Sequence, residues 1–573
     1  MITKRHIIVL CIALMVAMAS RAESIVHSVH NLSTSGPGTN KATIEMDVCV
    51  FCHTSHRSQG ASPLWNHNSS SVTNYIVYSS PTLDAIGLTI PQPNGASRLC
   101  LSCHDGTIAL GSVSSRVSPI AMQNGVSTMP SGHANLGTDL SGDHPISFVY
   151  DRQLVAKDPT LQDPTTLKGK VRLDGESRMQ CTSCHDPHDN QFGNFLAMDN
   201  TGSALCLSCH APSTWPDSVH AIAPAASPQM TTSKMAANAR LKIAPKTTTV
   251  SAMGCASCHS NHRAGGKKHL MKFDSPEDNC LSCHNGNVAK KNIEADIRKV
   301  SAHLGGFNGK THDKTEDLIN PKTRHAVCAD CHDSHAANST KAVAPYAAGG
   351  LNGVAGVTAT GGISRNIEME YELCFRCHGD SVQKGGSVLP RENNEANKRL
   401  NFQASNQSFH PVIAAGRNPN VPSLISPLKT TSIIYCTDCH NSDSGPRAGG
   451  TGPDGPHGSR FAPLLERQLV TDDNKPESPA NYALCYKCHS RSAILSDQPD
   501  SFKFHRLHIV DKQTACSTCH DSHGVANERA LVNFNKLYVS SNKGVISFND
   551  GGFGSRSCTL TCHGSAHDEK MKY

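Results

Sequence analysis

Twelve times along the 573 residues a pair of cysteines is followed at once by a histidine, and no other feature limits the fold as strongly. The motifs begin at Cys49, Cys100, Cys181, Cys206, Cys255, Cys280, Cys328, Cys374, Cys436, Cys485, Cys516 and Cys558. Eleven read C-x-x-C-H, and the last, Cys558-Thr-Leu-Thr-Cys562-His563, is one residue longer. Two cysteines three apart lie on one face of a helical turn. Both can then form thioethers to the vinyl groups of a c-type haem, whose attachment signature this is, while the next histidine turns onto the iron as proximal ligand. Each thioether pair is therefore the first cysteine above with Cys52, Cys103, Cys184, Cys209, Cys258, Cys283, Cys331, Cys377, Cys439, Cys488, Cys519 or Cys562. The proximal ligands are His53, His104, His185, His210, His259, His284, His332, His378, His440, His489, His520 and His563. Four apart is still one helical face, so the last motif is expected to carry haem too, an empty or singly attached site being the alternative.

The motifs fall into six pairs, an internal repeat whose second members follow the first by 25 to 51 residues. Five first members carry an extra histidine three places on: His56, His188, His262, His335 and His523. Such a histidine cannot reach the far side of its own haem. If it ligates an iron, it ligates a neighbour's, and one short peptide then pins two haems edge to edge. Each pair also has an upstream histidine: His30, His144, His220, His303, His410, and one of His505 or His508. In the fifth pair Asp443 stands where the extra histidine would be, and His457 is the nearest downstream replacement. These sets provide two distal ligands per pair and make every iron bis-histidine. His27, His67, His133, His269, His312, His325 and His567 are read as surface or supporting groups, with His67, His325 and His567 the first candidates to join the ligands.

Composition bears on what fills the interior. Aromatic residues are 5%, against 44 glycines and 31 prolines, so ordinary cores are not expected and haem must provide apolar mass. The expected fold is that of a multihaem cytochrome c: mostly irregular chain with short helices and little sheet, packed around a chain of covalent haems in six paired repeats. Ser275-Pro276-Glu277 and Ser478-Pro479 signal helix starts before Cys280 and Cys485. Glycine-rich 106–143, 347–364 and 444–458 read as loops. The pairs divide the chain into 23–125, 126–215, 216–290, 291–395, 396–495 and 496–573, after a leader at 1–22.

The leader has Lys4 and Arg5, an apolar run from Ile7 to Ala19 and a small-residue cleavage site at Ser20-Arg21-Ala22, so export is expected. Cys11 lies within that run and is read as part of it. No later stretch is apolar enough to span a bilayer, and the mature chain is expected to be soluble. Losing Lys4, Arg5 and Arg21 lowers the formal charge from +6 to +3. Haem propionates would then make the loaded protein acidic, which argues against nucleic acid as a partner.

With these motifs the chain resembles the multihaem c-type cytochromes built from doubled CXXCH units, found among metal-respiring bacteria. The resemblance rests on the six pairs and on the segments His30-Asn31-Leu32-Ser33 and Cys49 to His56. It implies electron transfer along a haem chain from periplasm to acceptors outside the cell, with other redox proteins, metal oxides or soluble metals as partners. Zinc is disfavoured because it needs no histidine after every cysteine pair. Disulfides are open to an exported chain, but the cysteine–histidine register gives them no reason. Two rivals stay open: a reductase with one open-coordination iron, which predicts a motif without its histidine, and a filament subunit, which predicts a distal histidine donated across protomers.

Overall fold

The computed structural model describes residues 25–572 apart from 57, 59–63, 81–82, 84–88, 225–248, 267, 304–315, 497–501 and 553–554. The leader with Cys11, and His312, lie outside the described residues. The chain divides into two compact units, Met1–Ser213 with Thr248–Ser275, and Thr214–Thr247 with Pro276–Tyr573. The first contains the motifs from Cys49 to Cys255, and the second those from Cys280 onward, so the third pair contributes one motif to each.

Both units are mostly irregular chain with short helices and little sheet. Helix forms chiefly where a cysteine motif needs it. The longest stretches are Gly95–His104 and Glu370–His378, each ending on a proximal histidine. Single turns cover Cys181–Cys184, Cys328–Cys331 and Cys516–Cys519. A recurrent bond closes these turns: the histidine amide donates to the carbonyl of the first cysteine, at 3.0 Å in His185, His332 and His520. The residue before the second cysteine completes the local logic. Ser183, Asp330 and Asp438 accept the amide just ahead of the motif at 3.1, 2.7 and 2.8 Å, half of a capping box.

Pro276 opens the helix Pro276–Leu281, as its position requires. Ser478 caps no helix, and Cys485 lies on the 3-10 turn Cys485–Lys487. The 347–364 segment is not all loop, because Gly356–Val357 pairs with Ile363–Ser364.

The twelfth motif departs from the helical expectation. Ser557–Cys562 is a β-strand, paired with Ser565–His567 and with two further strands. The cause is local: Thr559 and Thr561 are β-branched, and His563-Gly564 turns the hairpin with positive φ of 49° and 78°. Residues four apart also share one face of a strand, so Cys558 and Cys562 remain on the same side.

Apolar burial is split into small separate clusters. One gathers Val357, Tyr371, Phe375, Phe402, Phe409 and Val412; another gathers Ala42, Val50, Phe51, Leu110 and Met122. Among the described residues, no helix is long and apolar enough to cross a membrane.

Candidate haem-ligand sites

Several proximal histidines are anchored through the ring nitrogen that faces away from the partner ring. The Nδ1 atoms of His104, His185, His259, His332 and His520 face the carbonyls of Ala134, Asn194, His269, Gly350 and Ala530 at 2.6–2.9 Å. His489 Nδ1 meets Ser423 Oγ at 2.9 Å. Committing Nδ1 to an oxygen fixes the tautomer and presents Nε2 with its lone pair, the form that binds a metal. Burial adds to this. It holds His144, His284, His378, His440, His457 and His489 down at about 4, so these imidazoles are neutral at physiological pH.

Opposite most of these rings stands a second imidazole at a nearly constant distance. Ring centres are 6.0 Å apart in His53–His188, 6.1 Å in His30–His104 and His332–His457, and 6.2 Å in His144–His210, His185–His262, His220–His284, His303–His378 and His440–His523. His505–His520 and His508–His567 are at 6.3 Å, and His410–His489 at 6.4 Å. Interplanar angles in the same set run from 4° to 84°. Ring packing would couple distance to angle, whereas here the distance holds while the angle varies. Metal–imidazole bonds are about 2 Å and a ring centre lies about 1 Å behind its nitrogen, so two imidazoles across one ion sit about 6 Å apart. The residues therefore fit an iron between each pair.

The pairing follows a rule of the repeat. An extra histidine faces the first motif of the preceding pair: His188 faces His53, His262 faces His185 and His523 faces His440. His457 takes the same role, opposite His332 of the fourth pair. In the first five pairs the upstream histidine, His30, His144, His220, His303 or His410, faces the second motif of its own pair, whereas in the sixth His505 faces the first motif's His520.

Aspartates position the extra histidines. Asp186, Asp333 and Asp521, each directly after a proximal histidine, accept the amides of His188, His335 and His523 at 3.0, 2.8 and 3.1 Å. Asp443 is instead taken up in ion pairs: Lys299, at 2.7 Å, and Arg460 hold its carboxylate below the usual carboxylate range against a burial that would raise it.

The cysteines also come together in an ordered way. Cys100 lies beside Cys181, Cys206 beside Cys255, Cys328 beside Cys280 and Cys374 beside Cys436, joining the second motif of one pair to the first of the next. Within pairs the second cysteines are neighbours, as in Cys52 with Cys103, Cys184 with Cys209, Cys331 with Cys377 and Cys439 with Cys488.

Other histidines have other work. His67 is fully buried with its two nitrogens 3.0 and 3.1 Å from the carbonyls of Asn68 and Ala109. His325 lies 3.4 Å from both Glu316 and Asp330, in a network that Arg376 neutralises. His269 lends its carbonyl to His259, while His27, His56 and His133 are exposed. His335, a candidate distal ligand, also lies against Trp215, with ring centres 6.0 Å apart. Two placements are new relative to the sequence. His505 and His508 both face an imidazole, and His567, read as a supporting group, is the ring opposite His508. His563 instead puts Nε2 2.7 Å from Asp473 Oδ2.

A family model described as the doubled CXXCH motif matches residues 176–214 and 248–289, the stretches around Cys181, Cys206, Cys255 and Cys280. No curated protein matches the chain. Covalently held haem supplies reversible one-electron exchange, and the paired motifs with their facing imidazoles make the chain a multihaem c-type cytochrome of the doubled-CXXCH group, a protein of electron transfer.

Proposed function

We propose that the exported protein carries twelve covalent haems, each iron held by two histidines, and conducts electrons between periplasmic donors and acceptors outside the cell. The observation that carries this reading is the repeated imidazole pair with a 6.0–6.4 Å gap, present in both units. Iron with two histidines is coordinatively saturated and low in potential, suited to outer-sphere transfer and closed to small substrates. Thioethers sit at the haem rim, so cysteines that are neighbours alternately within and between pairs bring successive haem edges together. The six pairs are then six repeats of one wiring unit. Other redox proteins are the expected donors, and metal oxides or soluble metals the expected acceptors.

A cytochrome filament is the second reading. His56 is exposed, and among the described residues no ring faces it. By the rule of the repeat it would ligate a haem held outside these six pairs, and in a filament the neighbouring chain supplies that haem.

Intact mass of the denatured protein tests the loading, since thioethers survive denaturation. Twelve haem additions are expected on a chain beginning after residue 22, and a clearly smaller number contradicts the proposal.

A further inference from the structure

Resting on that loading, we propose that the twelfth haem, attached through Cys558 and Cys562, takes His567 and His508 as its axial ligands, and that His563, the histidine directly after the motif, is not a ligand. In the other motifs a helical turn delivers the histidine next to the second cysteine. Here the chain is a hairpin, and the delivery changes. Cys558, Leu560 and Cys562 alternate on one face of the strand Ser557–Cys562. His567 stands directly opposite Leu560 in the register, so its side chain leaves from that same face. Leu560 packs against Val532, Phe534 and Val539 with both cysteines beside it, which identifies the inward face.

His508 meets His567 across 6.3 Å, the separation found at the other imidazole pairs. Its Nδ1 faces the Phe504 carbonyl at 2.8 Å, leaving Nε2 for a metal. His563 lies in the two-residue turn, where its positive φ aims it away from the strand register. Its Nε2 is 2.7 Å from Asp473 Oδ2, and that carboxylate's other oxygen accepts the Ala515 amide at 2.7 Å and the Thr518 hydroxyl at 2.6 Å. His563 thus completes the cap of the eleventh motif, and the nitrogen that an iron would need is engaged.

The test uses the loaded protein. Intact mass with peptide mapping first establishes whether the Cys558 peptide carries haem; an unmodified peptide overturns both the twelve-haem loading and this inference. With haem present, electron paramagnetic resonance separates the ligands alone. His567→Ala is expected to convert one ferric haem from low to high spin, and His563→Ala to convert none. His567→Met keeps a ligand in place and is expected to produce a far-red sulfur-to-iron charge-transfer band and one haem of raised potential. A high-spin centre from His563→Ala, or a His567→Met protein without that band, overturns the inference while leaving the loading intact.

Discussion

The backbone amide of His410 donates to the carbonyl of His523 at 3.1 Å, stapling together the two histidines that face the fifth pair's two motifs. A short β-ladder, Ser408–Phe409 on Gly524–Val525, holds the staple. The fourth pair repeats the device. Ser301–Ala302 pairs with Gly458–Ser459, and His303 Nδ1 meets the Pro456 carbonyl at 2.8 Å, next to His457. His30 likewise reaches the Pro187 carbonyl at 3.2 Å, beside His188. The candidate distal ligands therefore arrive two at a time, and one contact between their segments orients both.

The ring orientations sort into classes with a spectroscopic consequence. His53–His188, His332–His457 and His440–His523 have planes within 14°, 17° and 4° of parallel, whereas His30–His104, His144–His210 and His220–His284 cross at 68°, 77° and 84°. Parallel imidazoles separate the two iron d orbitals they overlap, and crossed ones leave them nearly equal. The oxidised protein should give two low-spin signals, one rhombic and one strongly anisotropic. A single rhombic class would contradict these orientations.

His457 should be one of the two most easily lost ligands, with His505. The Nδ1 of each is buried without a hydrogen-bond partner, whereas His303 and His332 beside His457 are anchored. Gly458 lets its loop approach, since a Cβ there would lie 1.8 Å from the Asp296 carbonyl oxygen. His457→Ala should create one high-spin haem. Gly458→Ala should produce part of the same signal by pushing the ladder apart, and an unchanged spectrum in both would refute this account of the site.

What the sequence disclosed, and what it hid, follows from the range of each interaction. The cysteines and proximal histidines are adjacent in the chain, so their geometry is local and readable. The extra histidines could be seen, but their destination could not, because His188 and His53 meet through contacts between different pairs. Asp443 marked the missing ligand in the fifth pair, yet His457, its replacement, faces the fourth. The hairpin at Cys558 was open to a closer reading: two β-branched threonines followed by a turn with glycine signal strand, and the C-x-x-C-H pattern overrode them. His567 was visible as a candidate ligand, but its place beside these cysteines was not, since only strand register brings it there.

Buried charge should matter more for stability than the small apolar clusters suggest. Arg376, 5% exposed, bonds Glu316 and, at 3.0 Å, Asp330, whose other oxygen caps the Cys328 motif. Arg376→Met leaves two carboxylates facing each other without their cation and is expected to cost about 3 kcal/mol, as broken buried pairs do. Denaturant unfolding of the loaded protein measures it, and a change below about 1 kcal/mol would place the network among weak surface pairs.

Haem should also contribute to folding itself. With apolar burial so divided, replacing Cys374 and Cys377 by alanine is expected to disorder the fourth pair's second motif and its neighbours, as loss of structural metal does in small domains. Limited proteolysis should then cut between residues 345 and 412, around the cluster of Val357, Phe375 and Phe409. Unchanged protection there would show that the chain folds without this haem.

The central claim is that no iron in this protein has an open position. Carbon monoxide added to the fully reduced protein tests it most directly, because the ligand binds only where an axial site is vacant or readily vacated. Prompt binding to no haem, together with wholly low-spin iron in the oxidised state, is the predicted result. Prompt binding to even one haem would contradict the account and turn the conduit into a candidate reductase with that haem as its active site.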